Sequence, residues 1–137
     1  LAEALPVSGR TLRVPRSVNG AAWFAFDELC GAPLGSADYL ALVARYHTLA
    51  LSGIPVLGPD RRDEARRFAL LIDLLYENGT TLICSAAAAP DRLFDLPRDG
   101  AIAARAASRL IEMQGTGHLA RRSRAEYRGS MSNITCS

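Results

Sequence analysis

Hydrophobic and polar positions alternate near the start of the chain. Gly9 to Arg16 (GRTLRVPR) has this period of two, which is typical of a half-buried strand. Gly20 to Phe26 (GAAWFAF) predicts a second strand, and Val18 to Gly20 predicts the turn between them. We therefore expect an N-terminal β-hairpin, with Trp23 as a packing residue rather than a binding residue.

The pattern changes to helical spacing after Ser36, which we predict to be the N-cap of a helix. This helix should end near Arg45 or Tyr46. A buried strand of about Thr48 to Leu51 follows it, and a Gly- and Pro-rich loop leaves that strand. The apolar positions of the helix are Tyr39, Leu40, Val43 and Tyr46.

The strongest helical pattern follows Asp63. Its apolar stripe is wider than that of a surface helix, so the helix should be buried on more than one side. Asp60 or Asp63 is the predicted N-cap, and Asn78-Gly79 predicts a left-handed C-terminal cap. Thr80 to Ala86 is a continuous β-prone run, as expected for a central strand. The stripe consists of Ala65, Phe68, Ala69, Ile72, Leu75 and Tyr76.

These elements predict a strand, a helix and a strand joined by short links. Such a βαβ unit has parallel strands and a right-handed crossover. Asp91 to Asp95 then predicts a short helical turn, and Gly100 to Gly115 predicts a last helix. The residues expected on or near one face of this helix are Ile102, Ala106, Arg109, Leu110 and Met113. Residues 120–137 have the composition of a disordered tail.

The composition is that of one soluble globular domain, with 137 residues, 49% hydrophobic and 22% charged. The net charge of +2 implies no particular partner, and all sixteen basic residues are arginine. The three cysteines form no CxxC pair, which argues against a disulfide framework and fits a reducing compartment. No apolar run approaches the ~20 residues of a membrane span. Because the chain begins without methionine, we expect it to be a fragment.

Candidate phosphate chemistry centres on Asp63 to Arg67 (DEARR). The chain contains neither a GxxxxGK[ST] motif nor any lysine, so it should not bind and hydrolyse ATP unaided. Asp63 and Glu64 lie about ten residues beyond a strand rather than at its tip, which favours helix capping over Mg²⁺ binding. Arg66 and Arg67 point about 100° apart on a helix, so at most one reaches a given phosphate. The sequence favours the alternative, in which these arginines form a solvated face or pair with Asp63 or Glu64.

Other candidate sites receive less support. Arg105 and Arg109 lie one helical turn apart and can form one cationic site, although Arg109 with Glu112 also fits a surface pair. His47 and Cys84 should be offset by about 10 Å on adjacent parallel strands, which is too far for a nucleophile and its base.

Scattered cysteines and histidines predict no metal site. The arginine-rich tail gives weak evidence for nucleic-acid binding, and we expect no nucleic-acid partner. Its residues are Arg121, Arg122, Arg124 and Arg128, with Tyr127 between them.

Three blocks of the sequence resemble the ZapE-like, or AFG-one-like, AAA+ ATPases. The resemblance covers roughly Gly9 to Leu119 and concerns the C-terminal half of that family. The matching pieces, in the family's order and spacing, are ADYL (Ala37 to Leu40), ARRF (Ala65 to Phe68), LID (Leu71 to Asp73), LY (Leu75 and Tyr76) and SRL-EM (Ser108 to Met113).

The resemblance implies an α/β fold, a partial P-loop NTPase-like fragment with a right-handed βαβ core, an N-terminal β-hairpin and a C-terminal helix. Residues 1–119 would be the C-terminal part of an AAA+ ATPase domain. Its Walker A and Walker B segments would lie upstream of Leu1. ATP and Mg²⁺ would therefore bind the full-length protein and not this fragment alone.

The resemblance also implies partners. These are the upstream P-loop half of the same protein and further copies in a homo-oligomer. Bacterial members are associated with cell division and the FtsZ ring, and mitochondrial relatives with quality control of inner-membrane proteins. FtsZ or membrane-protein substrates are therefore expected, in the cytoplasm, at the periphery of the inner membrane, or in the mitochondrial matrix.

Four arginines match arginines of the family: Arg66, Arg67, Arg105 and Arg109. The resemblance makes Arg109 and Arg105 candidates for an arginine finger or sensor, and the other two candidates for phosphate contacts. Ala103 and Ala106 stand where the family has an aromatic residue and a threonine. This changes the packing that would aim Arg105, so the resemblance favours Arg109.

The alternative interpretation is a non-catalytic α/β protein-interaction module. The βαβ core would then present the helix from Tyr39 to Tyr46, and the loop from Gly53 to Pro59, to a partner protein. A P-loop upstream of Leu1 would favour the enzyme over the module.

Overall fold

The computed structural model describes residues 2–96 and 100–114, which form an α/β fold. The strands are β1 (Glu3–Val7), β2 (Arg10–Val14), β3 (Arg16–Val18), β4 (Ala21–Ala25), β5 (Thr48–Ile54) and β6 (Thr81–Ala86). The helices are α1 (Phe26–Leu29), α2 (Ser36–Arg45), α3 (Arg62–Asn78), α4 (Pro90–Leu93) and α5 (Gly100–Gln114). Among the described residues, no helix is both long and apolar enough to cross a membrane.

Strands β3 to β6 form a four-stranded sheet in that order. Strand β3 is antiparallel to β4, whereas β4, β5 and β6 are parallel to one another. Helices α1 and α2 lie between β4 and β5 in the chain, and α3 connects β5 to β6, because parallel neighbours require crossover connections. The predicted α/β fold with its βαβ core is confirmed, and β4 adds a second parallel pair to it.

The N-terminal segment forms two hairpins. The predicted turn is confirmed between β3 and β4, where Asn19 and Gly20 both have positive φ (48° and 82°), as a type I′ turn requires. The predicted first arm is only partly right, because β2 pairs with β1 in a separate two-stranded sheet. Ser8-Gly9, also with positive φ, forms that turn, and this dipeptide was the signal for the missed strand β1.

Helix α3 is the centre of the core. Phe68 is fully buried, with its ring edge-on to Phe26 at 5.8 Å and stacked on Phe94 at 5.9 Å between centroids. Leu71 and Ile72 are also 0% exposed, and the helix contacts both α2 and α5. The prediction that α3 is buried on more than one side is confirmed.

The predicted helix caps are partly wrong. Gly35, rather than Ser36, is the N-cap of α2, because its N–H donates to the carboxylate of Asp38 at the third helical position (2.9 Å). Arg61 is the N-cap of α3, since a 3₁₀ turn (Pro59–Arg61) runs directly into the helix. The left-handed C-cap is confirmed, with Gly79 at φ 66°. Asp60 and Asp63 therefore do not take the predicted cap position.

Asp38 joins the first hairpin to α2. Its carboxylate is 0% exposed and forms an ion pair with the guanidinium of Arg10, with Nη1 at 2.5 Å from Oδ1. Nη2 of Arg10 donates a hydrogen bond to Oδ2 at 2.7 Å. The hydrogen bond from Arg10 holds the pKa of Asp38 below its usual value, and the Gly35 N–H acts in the same direction. Because the same carboxylate binds the helix terminus and the strand, it fixes the position of the hairpin.

Helix α5 packs on α3 and α4. Its buried residues are Ala103, Ala106, Leu110 and Met113. Ile102, which was predicted on or near the same face, is 42% exposed and lies at its edge. Ala103 lies on the buried face, together with the predicted Ala106, Leu110 and Met113. The predicted disordered tail, residues 120–137, lies outside the described residues.

Candidate functional site

The four-stranded sheet has an outer face that points away from the core. On the three parallel strands the outer face consists of Ala21, Trp23, Ala25, Thr48, Ala50, Ser52, Thr81, Ile83 and Ser85. Arg16 and Val18 of β3 lie on the same face, because they pair with Trp23 and Ala21. Trp23, Ala50 and Ile83 are neighbours across the parallel strands. They line an open groove of about 250 Å³, in which Trp23 is 50% exposed and Ile83 is 42% exposed.

Trp23 was predicted to be a packing residue, but half of it is exposed in the described structure. The sequence AAWFA is apolar at successive positions, so periodicity could not tell which face of β4 points into the core. Arg16 lies over the indole, 5.4 Å from the ring centroid, at the edge of the outer face. Since none of the outer-face residues of the three parallel strands is charged, that part of the surface has the composition of a sheet face that is normally covered.

Arg109 lies between α5 and α3. Its Nη1 is 2.6 Å from Oδ1 of Asp73, and its guanidinium carbon is 4.9 Å from the ring centroid of Tyr76. The Tyr76 hydroxyl donates to Glu112 at 2.6 Å. Arg109 is 22% exposed, so both an ion pair and an aromatic face hold it in place.

Arg105 contacts the same carboxylate more loosely. Its Nη2 is 3.7 Å from Oδ2 of Asp73, and its side chain is 61% exposed. It borders a cleft of about 230 Å³ between α3 and α5, whose walls include Ala69 and Ala101. The structure thus brings the two predicted α5 arginines to one acidic residue.

Asp73 was not among the predicted site residues. The sequence pattern that could have identified it is a single carboxylate inside the apolar run LLIDLLY of α3. An acidic residue on a helix face that packs against another helix is expected to have a basic partner there.

The arginines at the start of α3 occupy a different environment. Arg67 is part-buried, and its Nε donates to the carbonyl of Cys30 at 2.7 Å, which connects α3 to the end of α1. Arg66 is exposed and lies beside a shallow, charged depression of about 700 Å³. Asp73 lies two helical turns from Arg66, about 10 Å along the axis. The two predicted arginine pairs therefore do not form one site.

His47 and Cys84 do not form a nucleophile–base pair in the structure. Strand register places Cys84 opposite Leu51, four residues beyond His47, or about 13 Å along the strand. The His47 ring contacts the carbonyl of Asn19 at 3.0 Å and the Thr48 hydroxyl at 2.7 Å, so it stabilises the β3–β4 turn.

The other described cysteine is equally unsuited to nucleophilic chemistry. Burial raises the pKa of the Cys30 thiol to about 12, so the thiol stays protonated near neutral pH.

The residues fit a nucleotide only in part. A guanidinium group can bind a phosphate oxygen, and the side chains of Arg66 and Arg105 are exposed to solvent. Magnesium needs oxygen ligands, but no group of three or more acidic, histidine or cysteine side chains suited to a metal occurs in the part of the chain described. The sequence has no lysine for a phosphate loop. The described residues therefore offer guanidinium groups for a phosphate and no such group of side chains for Mg²⁺.

The surfaces required by the interaction-module alternative are partly buried in the fold. Tyr39 is 0% exposed and donates to the Leu29 carbonyl at 3.0 Å, while Tyr46 is 4% exposed. In this helix and the following loop, Leu40 and Val56 are large apolar side chains that remain exposed. These two side chains are about as exposed as Trp23 and Ile83 on the outer face.

The sequence profile of AFG1-like ATPases matches residues 2–122 of this chain. The chain belongs to the AFG1-like ATPase family. The predicted family resemblance is therefore confirmed, and the match includes both α5 arginines and the whole βαβ core.

Individual relatives agree with this assignment. An uncharacterized protein of Schizosaccharomyces pombe is 42% identical over 84 residues, which are 61% of this chain and 18% of that protein. Lactation elevated protein 1 homolog B of Danio rerio is 37% identical over 91 residues, 66% of this chain and 18% of that protein. Cell division protein ZapE of Escherichia coli K12 is 32% identical over 117 residues, 85% of this chain and 31% of that protein.

The chain spans less than a third of the length of these curated relatives. No solved structure matches it.

Proposed function

We propose that this chain forms the C-terminal part of an AAA+ domain that hydrolyses ATP together with an upstream P-loop half of the same protein. The observation that carries the proposal is the outer face of the three parallel strands, which the described residues leave uncovered. Parallel sheets occur almost only with both faces covered. Membership of the AFG1-like ATPase family, and the much greater length of the relatives, support the same arrangement.

The outer face fits a further layer of structure from the parent protein. Small residues on the middle strand β5 leave room beside Trp23 and Ile83 for side chains of a covering helix. Burying Trp23 and Ile83 there would stabilise the assembly by about 25 cal/mol for each Å² removed from water. In this arrangement the chain is scaffold for a phosphate-binding loop that lies outside it.

The chemical contribution of this chain is a guanidinium group. When bound, ATP with Mg²⁺ supplies the phosphoryl group, and a well-placed arginine stabilises negative charge developing on it. The candidates remain Arg66, Arg67, Arg105 and Arg109, either within the same subunit or toward the next subunit of a homo-oligomer. The lysine and the magnesium ligands come from the upstream half.

The cellular role follows the relatives. One of them is named as a cell division protein, and we extend that role, or quality control of membrane proteins, to this protein. FtsZ or membrane proteins would be the substrates. A reducing compartment, either the bacterial cytoplasm or the mitochondrial matrix, with peripheral membrane association, suits the absence of a CxxC pair.

The test compares the parent protein, which carries this chain with its upstream half, with the 137-residue chain alone. ATP turnover is expected in the parent protein, and calorimetry of the chain alone should detect no binding of Mg·ATP. Acrylamide should quench Trp23 fluorescence strongly in the chain alone and weakly in the parent protein, after subtraction of a Trp23→Phe parent. A parent protein without ATP turnover, or one with Trp23 equally accessible, contradicts the proposal.

A further inference from the structure

The sequence contains two Asn-Gly dipeptides, and the structure places them in different environments. Asn19-Gly20 forms the turn between β3 and β4, and Asn78-Gly79 ends α3. We propose that Asn19 is a site of spontaneous deamidation in the folded protein, that Asn78 is protected, and that a hydrogen bond from His47 promotes the reaction at Asn19. This inference goes beyond the proposed function and does not depend on it.

Deamidation of an Asn-Gly dipeptide is an attack within the chain itself. The glycine nitrogen gives up its proton to solvent and bonds to the side-chain carbonyl carbon of asparagine, and the side-chain nitrogen takes up a proton and leaves as ammonia. Water then opens the resulting succinimide ring at either of its carbonyl groups, which yields aspartate or isoaspartate. The net reaction consumes one water and releases one ammonia. A following glycine favours it, because no Cβ crowds the attacking nitrogen.

Asn78 is exposed, but hydrogen bonds hold both of the groups that would react. Its side-chain Nδ2 donates to the Leu74 carbonyl at 2.8 Å. The Gly79 N–H, which would have to lose its proton, donates to the carbonyls of Leu75 and Tyr76 in the left-handed cap. Attack therefore requires the last turn of α3 to open first, and Leu75 in that turn is only 1% exposed.

Asn19 is also exposed, and its surroundings restrain it less. In the two-residue turn the strand pairing joins Val18 to Ala21, so the Gly20 N–H lies outside that pair. The strand before the turn, β3, has only three residues at the edge of the sheet, and Val18 is 67% exposed. This end of the hairpin should therefore open much more readily than the end of α3.

His47 contacts the peptide group in which the attack begins. Its Nε2 is 3.0 Å from the backbone carbonyl oxygen of Asn19, and because a carbonyl only accepts, Nε2 is the donor. Nδ1 then accepts from the Thr48 hydroxyl at 2.7 Å. The Asn19 carbonyl and the Gly20 N–H belong to one peptide group. When the nitrogen loses its proton, negative charge spreads onto the carbonyl oxygen, where the His47 N–H stabilises it.

The fold restricts the replacement of Gly20 by a residue that would slow the reaction. Its φ of 82° lies in the left-handed region, and a Cβ added there would be 2.6 Å from His47 Nε2. The ring that holds the turn therefore also excludes a side chain that would crowd the attacking nitrogen. The labile dipeptide follows from the geometry of the β3–β4 turn.

Modification would change this turn. Isoaspartate inserts a methylene group into the backbone of a two-residue connection, which disturbs the pairing of Val18 with Ala21 and of Arg16 with Trp23. Either product adds a negative charge beside His47 and lowers the formal net charge of +2 by one. Ion-exchange chromatography therefore separates modified from unmodified molecules.

The experiment incubates the parent protein that carries this chain near neutral pH, folded and, in parallel, unfolded in guanidinium chloride. Trypsin, which cleaves after arginine, releases the two dipeptides on separate peptides, residues 17–45 and 68–92, and each peptide contains a single asparagine. Mass spectrometry then follows the conversion of each asparagine with time. Asn78 is thus the matched control for Asn19 within the same molecule.

The folded protein should distinguish the two sites, and the unfolded protein should not. When folded, Asn19 should react at least about tenfold faster than Asn78, because only Asn78 depends on the opening of a helix end. When unfolded, the two rates should agree within about threefold, since the dipeptide is the same.

A variant tests the role of His47. His47→Phe keeps a ring beside Gly20 but removes the donor, and it should slow the reaction of Asn19 about threefold or more. The rate at Asn78 should not change, which would also show that α3 remains folded in the variant. A merely structural role predicts the opposite result, because a loosened turn would deamidate faster.

The inference is overturned if Asn78 reacts as fast as Asn19 in the folded protein, or if Asn19 remains unmodified there while it reacts in the unfolded protein. The role of His47 is overturned if His47→Phe deamidates at the wild-type rate or faster. Comparison of the two sites needs no variant, so it decides the main claim even if His47→Phe does not fold. A parent protein without ATP turnover contradicts the proposed function and leaves this inference unaffected.

Discussion

The two faces of the four-stranded sheet both carry large apolar side chains, yet they differ in what covers them. On the inner face Phe24, Leu51 and Leu82 are 0–1% exposed, in contact with the core built around α3. On the outer face Trp23 and Ile83 are 50% and 42% exposed. Burial of an apolar side chain in this sheet therefore depends on whether another element packs against it, and not on residue type alone.

The two faces also differ in whether they stabilise the described fold or contact a further layer of structure. The inner face stabilises the described fold by itself, since its side chains already have close-packed neighbours. The outer face contributes little to the fold until a further layer of structure meets it. Substitutions on the two faces should therefore differ in size and in the measurement that detects them.

The largest expected effect comes from the core beneath the inner face. Phe68→Ala should lower the free energy of unfolding of the chain by about 3–5 kcal/mol, because it removes a fully buried ring that contacts two other rings. Ile83→Ala on the outer face should cost about 1 kcal/mol or less. Urea denaturation measures both values. Equal losses would mean that the two faces are equally packed.

The next effect contrasts a buried ion pair with an exposed one. Asp38→Asn should cost about 2 kcal/mol at pH 7, a value reduced for the half-exposed Arg10 partner. The matched control is Glu28→Gln, which breaks the exposed pair with Arg16 beside the outer face and should cost less than about 1 kcal/mol.

The same pair predicts a pH dependence. Hydrogen bonding to Arg10 lowers the folded-state pKa of Asp38, so its stabilisation is present above the unfolded value of about 3.9 and is lost as pH falls through the folded value. The gap in unfolding free energy between the wild type and Asp38→Asn should therefore shrink below about pH 4. A gap that stays constant from pH 7 to pH 3 would show that Asp38 does not titrate with unfolding.

The smallest expected effect lies on the outer face itself. Arg16→Ala removes a guanidinium that lies over Trp23 and should cost only about 0.5 kcal/mol, since both side chains are about half exposed. Trp23 is the single tryptophan of the chain, so its emission spectrum reports this change directly. A cost above about 2 kcal/mol would indicate that the outer face already stabilises the fold.

Much of the fold could be predicted because the signals are local. The wide apolar stripe of α3, the Gly79 cap and the β-prone run after it are properties of consecutive residues, and all three are found in the structure. The missed strand β1 had a weaker signal, since only Ser8-Gly9 marked its turn. Helix caps were misjudged where an intervening 3₁₀ turn changed the geometry before α3.

The candidate site was harder to predict. The sequence could name Arg105 and Arg109 as one helical turn apart, but their shared acceptor Asp73 is 36 residues from Arg109. Only the packing of α5 on α3 makes these residues neighbours. The same packing distinguishes a held arginine from an exposed one, which spacing along one helix cannot do.

The sequence by itself determined the family, the parallel βαβ core, and the lack of a lysine that a phosphate loop would need. The tertiary structure decided which face of β4 is buried, which strand pairs with β2, and which arginine Asp73 holds closely. Periodicity and turn residues act over a few neighbouring positions. Face, strand pairing and ion pairing depend on distances between segments that meet only when the chain folds.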